Sequence, residues 1–238
     1  MLAIQFYFIE GNLGEVEGAI SFSSLGDSTL SILSSSMTGT NTIVLVGPDV
    51  FDGFIAFSND FGVTWSITHF SETPISDVVT SFRGEEMISL VVGYDGTILR
   101  SFDGGMNFTQ IETPIFDHLN GVDIGLNGNA FITGELGVIY MSDNSSNYES
   151  WFDITPSFTS SISEFNDIST YTGEELIAVG PSGNIYVGNR TTSGDWHWMR
   201  VNGVTTNEIF SVSQASPTVA MIVGRANFAA KTVDGKLF

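Results

Sequence analysis

Three histidines, seven bases and 27 acids supply the side chains of this chain best suited to moving a proton or holding an ion. His69, His118 and His197 are widely spaced singles, unlike the clustered imidazoles of a histidine metal site. Cysteine is absent, which excludes thiol nucleophiles, thiolate zinc sites, iron–sulfur clusters and disulfides. No G-x-S-x-G elbow, Walker loop or H-E-x-x-H motif occurs. The acids do repeat. Arg83-Gly84-Glu85-Glu86 has a counterpart in Thr172-Gly173-Glu174-Glu175, and Glu72-Thr73-Pro74-Ile75 has one in Glu112-Thr113-Pro114-Ile115. Carboxylates repeated on one face suit calcium or a partner protein, while solvated turns that keep an acidic chain soluble need no ligand. We take Arg83, Glu85, Glu86, His118, Glu174 and Glu175 as same-face binding candidates. No catalytic residue, metal site or cofactor is assigned.

The elements that position these residues follow from internal repetition. An apolar run closing on glycine recurs at Gly47, Gly93, Gly134, Gly180 and Gly224, spaced 46, 41, 46 and 44 residues apart. Upstream of each lies a strand-like run: LSILSSS, ISDVVTS, LNGVDIG, EFNDIST and EIFSVSQ. Downstream lies a third, and in most units a fourth, such as VTWSITHF or DWHWMRV. Units of four short strands cannot bury both faces alone, whereas radial stacking buries both and leaves only short edges. The chain therefore reads as an all-β protein, a β-propeller of four-stranded antiparallel blades. Five blades are preferred, and a sixth built from residues 1–24 stays open. Residues 18–23 are expected to supply the outer strand of the last blade and close the ring. Residues 18–238 then form one propeller domain, and residues 1–17 an N-terminal strand or docking arm.

Two turns between third and fourth strands share a pattern. One reads Ser58-Asn59-Asp60-Phe61-Gly62-Val63-Thr64-Trp65, the other Ser101-Phe102-Asp103-Gly104-Gly105-Met106-Asn107-Phe108. A short Asp can accept bonds from the amides of its own turn, Gly permits positive φ, and the aromatic enters the core to fix the hairpin. Ser142-Asp143-Asn144 is a degraded copy leading to Trp151. These residues resemble the Asp-box, or BNR, repeat family, with Ser58, Asp60, Gly62, Trp65, Ser101, Asp103, Gly105 and Phe108 on the motif positions. The Val92-Gly93-Tyr94-Asp95-Gly96-Thr97-Ile98 stretch is similar to photosystem-assembly-factor propellers. The resemblance implies a propeller, with the Asp-boxes in a structural role. Sialidases of this family hold a substrate carboxylate with three arginines. The arginines here, Arg83, Arg100, Arg190, Arg200 and Arg225, are scattered and lack that family's Phe-Arg-Ile-Pro context.

The formal net charge of -20 argues against nucleic acid and anionic membranes as partners. The opening stretch is short, lacks a basic n-region and meets Glu10, so neither a signal peptide nor a membrane span is expected. Trp65, Trp151, Trp196 and Trp198 fall in fourth strands and are expected to pack between blades. The preferred reading is a non-enzymatic structural or binding module of a larger assembly, on a virion (tail fibre or decoration) or an extracellular surface. Protein partners, through residues 1–17 among others, and glycans are the expected ligands. A propeller glycoside hydrolase and an assembly factor for a basic partner are the alternatives.

Overall fold

The computed structural model describes residues 31–37, 41–49, 52–157 and 164–232. They form a five-bladed β-propeller with no α-helix among the described residues. Blade 1 comprises β1 (Ser34–Met37), β2 (Ile43–Asp49), β3 (Asp52–Ser58) and β4 (Ser66–Ser71). Blade 2 comprises β5 (Ile75–Arg83), β6 (Glu86–Gly93), β7 (Ile98–Ser101) and β8 (Thr109–Gln110). Blade 3 comprises β9 (Leu119–Ile124), β10 (Ala130–Gly134), β11 (Ile139–Ser142) and β12 (Phe152–Asp153). Blade 4 comprises β13 (Asp167–Ser169), β14 (Glu175–Val179), β15 (Ile185–Arg190) and β16 (Trp196–Val201). Blade 5 shows β17 (Ile209–Ser216), β18 (Val219–Gly224) and β19 (Phe228–Thr232). Each blade is an antiparallel meander, hydrogen-bonded in sequence order. The closing strand expected from residues 18–23 and the arm of residues 1–17 lie outside the described residues.

The second strands of blades 1 to 4 are mostly apolar because both of their faces are covered, and alternate residues serve alternate neighbours, while β18 leaves Met221 and Val223 exposed on one face. In β6, Ile88, Leu90 and Val92 pack with Leu119, Val122 and Ile132 of blade 3. Val91, between them, packs with Val44, Val46 and Phe57 of blade 1. The same alternation in β14 sends Leu176 and Ala178 toward Phe131 and Met141, and Ile177 and Val179 toward Val212 and Ile222. The core is therefore a set of sandwich layers between blades.

The recurrent glycines have one steric cause. A Cβ on Gly47, Gly93, Gly134, Gly180 or Gly224 would run into the backbone oxygen of Ser31, Pro74, His118, Glu164 or Glu208 respectively. Each of these oxygens sits just before an inner strand. The next residue uses that closeness: Tyr94 N–H donates to Pro74 O at 2.9 Å, Glu135 N–H to His118 O at 2.9 Å, and Arg225 N–H to Glu208 O at 2.8 Å. The glycine carbonyl in turn serves the following blade, accepting from Phe165 N–H at Gly134 (2.9 Å) and from Ile209 N–H at Gly180 (3.1 Å). Gly93, Gly134 and Gly224 thus pin their own inner strands, whereas Pro48 and Pro181 after Gly47 and Gly180 have no N–H to give, and Gly134 and Gly180 pin the next inner strand through their carbonyls.

The patterned turns behave as their residue types require. Asp60 accepts from Thr64 N–H (2.8 Å) and Thr64 Oγ1 (2.6 Å), and Gly62 N–H donates to Ser58 Oγ at 2.9 Å. Asp103 accepts from Met106 N–H (3.0 Å), Asn107 N–H (2.9 Å) and Asn107 Nδ2 (2.7 Å), while Gly105 N–H donates to Ser101 Oγ at 2.9 Å. Trp65 then packs on Leu45, Phe54 and Ala56, and Phe108 on the layer between blades 1 and 2. The bonds to Thr64 hold the Asp60 carboxyl below its usual range. Burial pulls Asp103 upward, but the bonds from Ser101 and Asn107 outweigh it and its pKa is lowered.

Candidate functional site

The inner strands β5, β9 and β13 each carry one half-buried aspartate, and these carboxylates stitch the blades together. Asp77 accepts from its own Val78 N–H (2.8 Å), from Val122 N–H of blade 3 (2.8 Å) and from Ser34 Oγ of blade 1 (2.5 Å). Asp167 repeats the arrangement with Ile168 N–H (2.8 Å), Val212 N–H (2.9 Å) and Ser211 Oγ (2.7 Å). Asp123 accepts from Ile124 N–H (2.8 Å), Thr170 N–H (2.8 Å) and Ser169 Oγ (3.1 Å). Serines do the same work elsewhere on this inner ring: Ser36 Oγ accepts from Thr80 N–H (2.8 Å) and Ser169 Oγ from Gln214 N–H (3.0 Å). Burial pushes Asp77 and Asp123 up to about 6. It pushes Asp167 up to about 8, with the Asp77 charge adding to the effect. Three hydrogen bonds per carboxylate hold these groups in place against that desolvation. These three acids are not among the residues that sequence reasoning marks as candidates. The available signal was an Asp inside an otherwise apolar or hydroxyl-bearing inner strand, in ISDVV, GVDIG and FNDIS.

Two of these acids open onto a cavity of about 410 Å³ at one mouth of the ring. All five blades contribute to its wall: Leu33 and Ser34, Ser76 with Asp77 and Tyr94, Asn120, Glu164 with Asn166 and Asp167, and Phe210 with Ser211. At the same end of the strands, Phe116 before β9 is 81% exposed and Leu136 between β10 and β11 is 69% exposed. Leu33, Tyr94 and Phe210 are also exposed. Exposed apolar side chains occur at the far end as well, Phe61, Val63 and Leu126 among them, but at this end they accompany a polar pit walled by all five blades, which has the makeup of a binding face.

His118 belongs to this end. Its ring stacks on Tyr94 with centroids 4.3 Å apart, and its Nδ1 accepts from Asp95 N–H at 3.0 Å. The other binding candidates lie at the opposite end of the strands, so the expectation of one shared face is corrected: β5 separates Ile75 at the cavity end from Arg83 at the far end. His118 was grouped by loop position, but it precedes an inner strand, whereas the acidic turns follow one.

At that far end most of the candidates are committed to structure. Arg83 donates to Asn147 Oδ1 (2.8 Å) and pairs with Glu86 (2.6 Å), and its guanidinium lies over Phe102. Arg100 covers the same ring at 4.6 Å and donates to the carbonyl of Asn147. Glu174 accepts from Asn127 Nδ2 at 2.8 Å and lies 3.7 Å from Arg190. Glu175 closes its own turn by accepting from the N–H groups of Tyr171 and Thr172 and from the Thr172 hydroxyl. Glu85 is exposed at the turn. Among the described residues, no group of three or more His, Cys, Asp or Glu side chains is placed to hold a metal ion.

A second concavity, of about 570 Å³, runs between the outer strands of blades 3 and 4. Asp153, Thr155, Asp195, Trp196, His197 and Trp198 are among its lining residues. Trp196 and Trp198 stack with centroids 5.9 Å apart, and Trp198 Nε1 donates to Ile154 O across the blade boundary at 3.0 Å. Both rings also pack on the layer between these blades, as expected for fourth-strand tryptophans.

No family model matches the chain, and no curated protein matches it. Solved structures do. The chain is similar to the structure of YCF48 bound to a D1 peptide, with a TM-score of 0.62, 14% identity, and coverage of 87% of this chain and 65% of that one. YCF48 from Cyanidioschyzon merolae gives 0.62 and 14%, covering 88% and 68% of the two chains. The RRP9 WD40 repeats give 0.65 and 9%, covering 84% and 61%. This protein thus spans 65% of the length of the first of these neighbours, and what it shares with them is the propeller fold.

Proposed function

We propose that this protein is a non-catalytic binding module of a larger assembly, and that it engages a protein partner on the face around the channel mouth. The observation that carries this reading is the set of exposed apolar side chains Leu33, Tyr94, Phe116, Leu136 and Phe210 at one end of the ring, around a pit walled by all five blades. The neighbour solved with a bound peptide supports peptide docking as something this fold accommodates. Non-catalysis is favoured because the pit acids are already held by backbone and serine donors, Asp77 by those of blades 1 and 3 and Asp167 by those of blade 5. The patterned turns at Asp60 and Asp103 are read as Asp-boxes that hold hairpins, leaving the inter-strand face for recognition.

Within this reading the assembly is a virion or a comparable surface particle, and the tryptophan groove between blades 3 and 4 is where a glycan would stack. Mass spectrometry of large particles purified from the native source tests it. Stoichiometric presence is the expected result. Recovery only as a free protein would remove the assembly role, and turnover on a broad glycoside panel would replace binding with hydrolysis.

A further inference from the structure

We propose that the channel mouth takes a lysine or arginine side chain from an extended partner segment, whose apolar neighbours rest on Leu33, Tyr94 and Phe210. This inference rests on the protein-binding reading above and names the chemistry of the partner.

The wall of the pit carries three carboxylates, Asp77, Asp167 and Glu164, and no lysine, arginine or histidine. The arginines of the described residues are each held by other partners, including Arg225, which lies at this same end of the strands. Arg83 and Arg100 hold Asn147 and Phe102, Arg190 faces Glu174, Arg200 donates to Asn184, and Arg225 pairs with Glu208 at 2.6 Å. Among the described residues, none thus places a cation at the wall. A partner's cation would meet carboxylates already oriented by hydrogen bonds between blades, and its charge would favour their ionised form over the proton that burial favours. The cavity is of the size of ordinary ligand sites, and its rim is apolar on the sides given by Leu33, Tyr94 and Phe210. A long aliphatic side chain with a charged tip matches both parts, its stem against the rim and its head at the floor. A bare divalent cation matches only the floor.

The test pans a displayed heptapeptide library on the intact protein at low ionic strength, then resynthesises the selected peptides with norleucine in place of the basic residue. We expect selected sequences to carry one Lys or Arg between apolar residues. Norleucine should weaken binding by at least about tenfold, as expected for a desolvated charge pair. Asp167→Asn and Glu164→Gln should each weaken it, Phe210→Ser should weaken it, and Glu85→Gln at the far end should leave it unchanged. Glu164→Gln keeps the test decisive if Asp167→Asn does not fold.

Binding that survives norleucine but is lost with Phe210→Ser would overturn the basic side chain while keeping the face. A norleucine effect that Asp167→Asn and Glu164→Gln do not share would also overturn it, as would displacement of the peptide by calcium. Failure to select any peptide, or peptides indifferent to Phe210→Ser, would overturn the protein-binding reading itself.

Discussion

The Asp77 carboxylate accepts a 2.8 Å hydrogen bond from the backbone N–H of Val122, so a side chain of blade 2 fixes the inner strand of blade 3. Asp167 does the same for Val212 of blade 5. Inner strands of a propeller do not pair with each other as strands, so side chains must supply the polar link between them. Aspartate suits this, since its two oxygens reach the amide beside it and one in the next blade together.

These half-buried acids set the pH dependence of stability. Burial pushes Asp77 and Asp123 up to about 6 and Asp167 up to about 8, above the usual carboxylate range. A raised carboxyl pKa means the folded state holds the proton more tightly. Its stabilising contribution is complete below the unfolded value and is lost as pH rises through the folded one. We expect the melting temperature to fall as pH rises from about 4 to about 8. Calorimetry across that range checks it. Asp167→Asn should flatten the upper part of the profile; an unchanged slope would contradict the assignment.

The acids of the patterned turns act in the opposite sense. Asp60, Asp103 and Asp143 have lowered pKa values, so their contribution is present above the unfolded value and lost as pH falls below it. Asp103→Ala removes the acceptor of four bonds in one turn and should cost about 1–2 kcal/mol, read as a lower urea midpoint. Asp103→Asn should recover part of the loss.

Gly134→Ala and Gly84→Ala separate two roles of glycine. At Gly134 a Cβ meets the His118 carbonyl, while at Gly84, with φ of 63°, it meets nothing within 4 Å. The first substitution must displace backbone and should cost more than about 3 kcal/mol or prevent folding. The second carries only the left-handed strain, about 1 kcal/mol. Equal losses in a denaturation experiment would show that the anchor is not steric.

Arg100→Lys should destabilise by about 1–2 kcal/mol despite keeping the charge. The guanidinium sits over Phe102 with its Cζ 4.6 Å from the ring centroid, shares that ring with Arg83, and also reaches Asn147 and Glu149. An ammonium cannot stack in this way. Thermal melts of Arg100→Lys beside Arg83→Lys would measure the difference.

The ring was readable in the sequence because its constraints repeat. The five glycines, the apolar runs before them and the Asp60 and Asp103 turns each answer a local requirement that recurs in every blade or in adjacent ones. The binding face was not readable in the same way. Which loops share an end depends on strand direction, and His118 was grouped with Glu85 and Glu174 although an inner strand's length divides them. Asp77, Asp123 and Asp167 escaped notice because their partners lie one blade away. The exposure of Phe116 and Leu136 depends on packing that no local pattern encodes.

The glycine pins also imply a radial gradient of tolerance to change. Near the axis, the residues after Gly93, Gly134 and Gly224 bond a carbonyl of their own blade, and Gly134 and Gly180 hold an amide of the next, so an inserted residue would shift the phase of every later unit. At the periphery nothing comparable is counted: β8 and β12 are two residues each while β16 is six. Lineages of this protein should therefore drift outermost first, with insertions and new sequence collecting at the circumference while the hub keeps its spacing.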